Sequence, residues 1–222
     1  MVRGAVRLAV MTLLSALVLF GCAGTTAWPA AWLYLLEVTG IIGIYARTAS
    51  RMPDLVAERT KPPADAKSWD KPLAAVVALV GPFGLLMLAG LDNRYGWSGT
   101  VSGWVVGAGL LIVPIGGAIS NLAIAANRFF SALVRIQRDR GHRVIDTGPY
   151  AVIRHPGYLG SIVYMFGAAL ALGSWWTLLF VTAVCAVLIF RTLLEDRTLQ
   201  AELDGYADYA RRVRYRLVPG IW

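Results

Sequence analysis

The sequence predicts an all-α, polytopic membrane protein of about six membrane helices, ending in a helical hairpin and a cytoplasmic C-terminal helix. Three observations predict it. Apolar residues make up 57% of the 222 residues and charged ones only 15%, with a mean hydropathy of +0.60, which is too little charge for a soluble surface. The apolar residues fall into six runs, most of them near the ~20 residues that cross a ~30 Å hydrocarbon core. The 21 Lys and Arg residues sit almost wholly between alternate runs.

The runs are 5–24, 28–46, 72–91, 101–126, 157–173 and 175–191. Arg3 and Arg7 precede the first, which ends Leu19-Phe20-Gly21-Cys22. This reads either as a leader with Cys22 lipidated or as a first membrane helix. Bulky Phe20 and the five further runs favour the helix. The last two runs are short, and Gly173-Ser174 between them predicts a tight hairpin. Trp28, Trp32, Trp97, Trp104, Trp175 and Trp176 fall near run ends, as in an aromatic belt.

With six spans, the N-terminus, the 47–71 and 127–156 loops and the tail share one side. That side holds 20 of the 21 basic residues, leaving only Arg94 on the other. The positive-inside rule assigns it, with both termini, to the cytoplasm. Five or seven spans would break this asymmetry; a re-entrant final hairpin would keep it. In the 47–71 loop, Met52-Pro53, Lys61-Pro62-Pro63 and Lys71-Pro72 mark turns around a short amphipathic surface piece. In the tail, Leu194, Leu199, Leu203, Tyr206 and Tyr209 recur near helical spacing over 192–214, with Gly205 a breaker. Arg211, Arg212, Arg214 and Arg216 form a basic end suited to anionic headgroups rather than to nucleic acid. The organisation expected is one integrated domain, with membrane helices over 1–126 and a functional half over 127–222.

Cys22 and Cys185 make no disulfide framework, and no Cys-x-x-Cys or His-Glu-x-x-His spacing points to a metal. Chemistry concentrates elsewhere. Both histidines lie in His142-Arg143-Val144-Ile145-Asp146-Thr147-Gly148-Pro149-Tyr150 and Arg154-His155-Pro156-Gly157-Tyr158-Leu159-Gly160. Gly148-Pro149 predicts a turn. Pro156 drives His155 out of helical geometry and suits a helix start. His155 is therefore expected beside free backbone N–H groups, where a polar or anionic group binds, with Arg154 touching phosphate headgroups as the plainer reading. Arg191 and Glu195 are four apart, hence on one helical face. They read as an ordinary ion pair, or as a guanidinium fork and a carboxylate that receive a substrate carboxylate and a cationic cofactor. Glu37, an acid inside a predicted span, is a further candidate.

Gln137, His142 to Ile145, Gly148-Pro149-Tyr150, Arg154 to Gly160, Arg191-x-x-x-Glu195 and the tail Tyr206-x-x-Tyr209…Val213…Pro219 resemble the isoprenylcysteine carboxyl methyltransferase family over roughly 135–220. Phospholipid N-methyltransferases share much of the pattern, and C14-type sterol reductases carry a similar His-Pro-x-Tyr-x-Gly segment. The resemblance implies an S-adenosylmethionine site in the C-terminal half. Its shell by position is Gln137, His142, Arg143, Val144, Ile145, Tyr150, His155, Pro156, Gly157, Tyr158 and Glu195. Arg191 takes the role of substrate-carboxylate holder and, with Glu195, the catalytic role. The stretch from Gln137 to His142 is shorter than in eukaryotic members, and the acidic run after Arg191 is reduced to Glu195-Asp196.

The expected function is membrane carboxyl methylation of a lipophilic or lipidated, isoprenylcysteine-like partner, with no nucleic acid. The alternatives are phospholipid or amine N-methylation, an NADPH-dependent membrane reductase, and a non-catalytic membrane protein or transporter. Arg outnumbers Lys 18 to 3, which fits a GC-rich genome and a bacterial inner membrane, where a prenylated-protein acceptor is not assumed.

Overall fold

The computed structural model describes residues 2–60 and 65–222, with side chains from Leu8 onward outside 59–64. The expected turn at Lys61-Pro62-Pro63 lies outside the described residues. Helices α1 (Val2–Ala23) and α2 (Pro29–Ser50) are followed by the short α3 (Pro53–Thr60). Next come α4 (Asp70–Ala75), a π turn over Val76–Val80 and α5 (Gly81–Tyr95), running as one helix. After α6 (Gly103–Ala126) the chain forms an irregular segment, then α7 (Pro156–Ala171), α8 (Trp175–Glu202) and α9 (Tyr206–Arg212). Four prolines act as helix starters: Pro29, Pro53 and Pro156 each open a helix, and Pro72 sits in the first turn of α4.

The protein is all-helical and has integral-membrane character. Among the described residues, four helical stretches are long and apolar enough to cross a bilayer: Pro29–Ser50, Asp70–Tyr95, Gly103–Ala126 and Trp175–Glu202. Leu8–Ala23 and α7 are shorter apolar helices. At 1.5 Å per residue, the 16 residues of α7 reach about 24 Å. The hairpin turns where expected, with Gly173 at φ +63°. Ser174 caps α8 by accepting a hydrogen bond from the Thr177 amide.

One boundary differs from expectation. A last span ending at 191 and a separate helix over 192–214 were predicted. Instead α8 continues unbroken for 28 residues to Glu202, and the break falls at Gly205, φ +78°. Between 191 and 202 there is neither Gly nor Pro, and Leu, Glu, Arg and Gln propagate a helix well. The last span therefore runs on into the tail.

The packing of α7 against α6 is unusually close. A Cβ at Gly116 would lie 2.3 Å from the Tyr164 amide nitrogen, and one at Gly160 would lie 2.4 Å from Ser120 Oγ. Small residues are how membrane helices bring backbones together. Leu19, Leu85, Val113, Val181 and Leu188 form the buried centre where the helices meet.

The two ends of the bundle differ. At one end sit Trp28, Trp97, Trp104, Trp175 and Trp176, all next to helix termini, with Trp104 89% exposed. There Asp92 accepts the Ser98 amide at 2.8 Å and the hydroxyls of Ser98 and Ser174, tying the loop after α5 to the hairpin. The opposite end carries the irregular segment and the tail.

Candidate functional site

The segment between α6 and α7 is built on hydrogen bonds rather than regular structure. Asn127 ends α6, and its side-chain oxygen accepts the Phe129 amide at 2.9 Å. Gln137 is 1% exposed. Its amide group donates to the Phe129 carbonyl (2.7 Å) and accepts from Arg140. Its carbonyl accepts the His142 amide (3.1 Å), and its own amide donates to His142 Nδ1 (3.2 Å). This closes a short turn around Gly141, φ +62°. Nδ1 is thus an acceptor, which makes the imidazole neutral. Burial, reinforced by Arg135 and Arg140, pushes its pKa down to about 4.

Gly148 adopts φ +58° and opens a 3-10 turn over Gly148–Ala151. The turn buries Tyr150, whose carbonyl accepts the Tyr209 hydroxyl at 2.7 Å. His155 stands at the N-cap of α7 with φ −127°.

Arg154 does not reach headgroups. It is 5% exposed and bonds Asp196 through Nε (2.7 Å) and Nη2 (3.0 Å), and the carbonyls of Val213 and Arg214 through Nη1 (2.6 and 2.8 Å). The amides of Arg154 and His155 donate to the carbonyls of Tyr215 and Arg216, which docks the tail on the segment. A buried guanidinium demands such partners. Asp196 is the hub: it also accepts from His155 Nε2 (3.3 Å), Gln200 (2.8 Å), Tyr206 (3.1 Å) and Arg216 (2.8 Å). Of the basic end expected to face lipid, Arg216 is therefore turned inward.

The ordinary ion-pair reading of Arg191 and Glu195 is also corrected. Arg191 pairs instead with Asp70 at the start of α4, Nε to Oδ1 at 2.6 Å and Nη2 to Oδ2 at 3.0 Å. Its Nη2 also donates to the Ala132 carbonyl at 2.9 Å. Glu195 accepts the Tyr158 hydroxyl. Tyr158 lies under the Arg191 guanidinium (5.3 Å to the ring centre) and parallel to His155 (5.7 Å). The face shared by positions 191 and 195 is real, but each group has its own partner.

These groups surround one cleft whose empty space, open mouth included, is about 790 Å³. Its wall includes Gln137, His142, Arg143, Val144, Ile145, Tyr150, His155, Gly157, Tyr158, Arg191 and Glu195. Pro156 is buried as the first residue of α7 rather than in the wall. Phe129, Leu199, Leu203, Tyr206 and Tyr209 add apolar lining. Glu37 lies elsewhere. It is half-buried on α2, its Oε2 has no hydrogen-bond partner among the described residues, and the α2–α7 pair nearby is joined by the hydroxyls of Tyr34 and Tyr164 at 2.7 Å.

Charge in the cleft is mostly cancelled. Arg135 is held by Glu58 of α3 (2.8 Å), Asp65 (3.1 Å) and Asp139 (2.9 Å), and its bonds hold the Glu58 carboxyl below the usual range. Among the described residues, the lining charges without an ion pair are Arg143 and Glu195. A cleft with one available cation, one available anion, a neutral imidazole and an aromatic and aliphatic wall suits a dipolar ligand with an apolar or aromatic part. Sequence reasoning missed Asp70, Asp196 and Arg135. The signal available was the rule that a buried Arg needs a buried acid.

Residues 104–203 match the family model described as phospholipid methyltransferase. The chain is 28% identical over 113 residues to protein-S-isoprenylcysteine O-methyltransferase B of Arabidopsis thaliana, covering 50% of this chain and 57% of that one. It is 38% identical over 71 residues to a probable protein-S-isoprenylcysteine O-methyltransferase of Oryza sativa subsp. indica, covering 31% and 37%. The match to the Schizosaccharomyces pombe protein-S-isoprenylcysteine O-methyltransferase is 30% over 96 residues, covering 42% and 41%. The matched region spans about half the length of these relatives or less. In fold, the chain resembles the eukaryotic intramembrane Ras methyltransferase ICMT, with a TM-score of 0.52, 20% identity, and coverage of 96% of this chain and 75% of that one. Over parts of its C-terminal half the chain is similar in sequence to protein-S-isoprenylcysteine O-methyltransferases, and over nearly its whole length its fold resembles that of the intramembrane methyltransferase ICMT.

Proposed function

We propose that the protein is a membrane methyltransferase that uses S-adenosylmethionine to esterify the carboxylate of a lipophilic, isoprenylcysteine-like acceptor. One observation carries this reading: the 137–158 segment and the Arg191–Glu195 face of α8 are walls of a single cleft. The family resemblance and the relatives' names supply the reaction class.

The residues fit the cofactor chemically. Glu195 would meet its cationic part and Arg143 its carboxylate. Val144, Ile145 and the ring-bearing wall of Phe129, Tyr158 and Tyr206 would cover its apolar and aromatic surface. Gln137, His142, Tyr150, His155, Pro156 and Gly157 shape the shell around these groups. Neutral His142 adds no second positive charge beside a sulfonium. When bound, S-adenosylmethionine would supply an electrophilic methyl for the acceptor oxygen, with the sulfonium sulfur as the leaving group.

The rest falls to this chain. A carboxylate is already ionised at pH 7, so no residue has to take a proton. What remains is positioning, where a well-oriented pair of reactants gains ~7–11 kcal/mol. Arg191 holds the acceptor carboxylate, and Tyr158 and Glu195 fix the neighbouring wall. Residues 127–222 form the functional half, with Asp70 reaching in from 1–126. Counted along the sequence, 20 of the 21 Lys and Arg residues fall on the side of the six-run arrangement that holds the 127–156 segment and the tail, the side that the positive-inside rule assigns to the cytoplasm. Cofactor then enters from water and the acceptor's lipid tail from the bilayer.

Replacing Arg191 by Gln, which can still bond Asp70, should abolish turnover and leave cofactor affinity within about threefold. Glu195→Ala and His155→Ala should weaken cofactor binding. Normal turnover by Arg191→Gln would remove the carboxylate-holding role. The match to the phospholipid methyltransferase model favours a second reading, N-methylation of an amine. That reaction needs a base, for which Glu195 is the cleft's available carboxylate, and it leaves Arg191 without a role. Titrating the purified protein with S-adenosylmethionine and with NADPH separates both from a reductase.

A further inference from the structure

Arg191 has five N–H groups in a fixed fork. Asp70 takes the edge formed by Nε and Nη2, and the Ala132 carbonyl takes a further Nη2 bond. Nη1 makes no hydrogen bond to the described protein, and the residue lines the cleft. Asp70 is 0% exposed and is itself fixed, accepting the Val134 amide at 2.7 Å. The ring of Tyr158 closes one face of the guanidinium. The guanidinium is thus locked, and both edges on which a carboxylate could sit in two-point fashion involve Nη2, which is already in use.

We infer that Asp70 is a positioning residue: by occupying the Nε–Nη2 edge of Arg191 it leaves only Nη1 for the acceptor, so the acceptor carboxylate is held through one oxygen. This rests on the carboxylate-methylation reading above. The consequence is chemical. A two-point clamp would tie up both oxygens and draw electron density from each. A one-point hold restrains one oxygen and leaves the other with its lone pairs free to attack. Asp70 also cancels the charge of Arg191, so the acceptor meets a neutral pair rather than a naked cation. The site therefore selects its acceptor by placement more than by charge.

The test uses the purified full-length protein in detergent or nanodiscs. Asp70→Asn keeps the shape but loses the two-oxygen clamp, so Arg191 becomes free to reorient. The expected result is a fall in kcat of about tenfold or more, a smaller change in acceptor KM, and S-adenosylhomocysteine affinity unchanged. A kcat within about threefold of the parent would overturn the role of Asp70. A purely structural role would instead weaken cofactor affinity and thermal stability together with turnover.

Should Asp70→Asn not fold, the parent protein supplies the second measurement. With S-adenosylhomocysteine bound, the affinities of an S-prenylcysteine carboxylate and its carboxamide are compared. A one-oxygen hold by a neutral pair predicts that the carboxamide binds within about tenfold of the carboxylate, and a larger loss contradicts it. The two readings fail differently. If Arg191→Gln turns over normally, the carboxylate-holding role of Arg191 falls, and this inference with it. If Arg191→Gln is inactive while Asp70→Asn is normal, only this inference falls.

Discussion

Arg154 and Arg191 are both buried in the wall of the same cleft, and each is clasped side-on by a fully buried aspartate. They differ in what is left over. Arg154 spends all three nitrogens on protein: two on Asp196 and the third on the carbonyls of the tail. Arg191 spends two and keeps Nη1. A saturated guanidinium holds the structure together, whereas an unsaturated one in a cleft is available to a ligand. The two arginines are told apart by their unfilled donors, not by burial or charge.

The largest effect should come from the saturated side. Asp196→Ala strands Arg154 and Arg216 and undocks residues 213–217. Breaking a buried pair costs ~3–5 kcal/mol, so chemical denaturation should show a loss of that order, with the tail becoming protease-sensitive. A small loss with an intact tail would break the comparison. A middle-sized effect is expected at the α6–α7 contact. Gly116→Leu forces the helices apart at Tyr164, and overpacking of this kind costs ~1–3 kcal/mol, read as a lowered thermal midpoint with the cleft's own residues unchanged.

His142 sharpens the comparison through pH. Its folded pKa of about 4 lies below the ordinary 6.5, so the unfolded chain binds the extra proton first. Stability from this group is complete above pH 6.5 and falls as pH drops from there toward 4. Replacing His142 by Asn should flatten the midpoint-versus-pH curve in that window, and an unchanged slope would show that the acid sensitivity lies elsewhere. The smallest effect belongs to the exposed pair Arg212–Asp146, 2.8 Å apart with both side chains about half exposed or more. Arg212→Ala should cost under ~1 kcal/mol.

Much of this was legible in the sequence. Apolar run lengths gave the helices, and Gly148-Pro149 and His155-Pro156 gave the turn and the start of α7, because Gly and Pro act locally on φ. The ring of wall residues was legible through family resemblance. The acids were not. Asp70 lies 121 residues before Arg191, and its neighbours Trp69 and Lys71 mark it as an ordinary loop acid. Asp196 stands beside Glu195 and looks redundant, yet burial makes it the hub while Glu195 stays in the cleft. Arg135 likewise gathers Glu58 of α3 and Asp65, 77 and 70 residues away in the sequence. Periodicity shows which face a residue occupies, but not which distant carboxylate will meet it. The run-on of α8 was missed because apolarity marks where lipid ends, not where the helix does.

Carboxyl methylation in this cleft, as proposed above, meets its most direct test in one measurement. Purified protein is given S-adenosylmethionine labelled in the methyl group and an S-farnesylcysteine analogue, and the lipid product is then treated with mild alkali. An ester releases the label as methanol, which is the predicted result. Label that stays on the lipid, as an N-methyl group would, contradicts it.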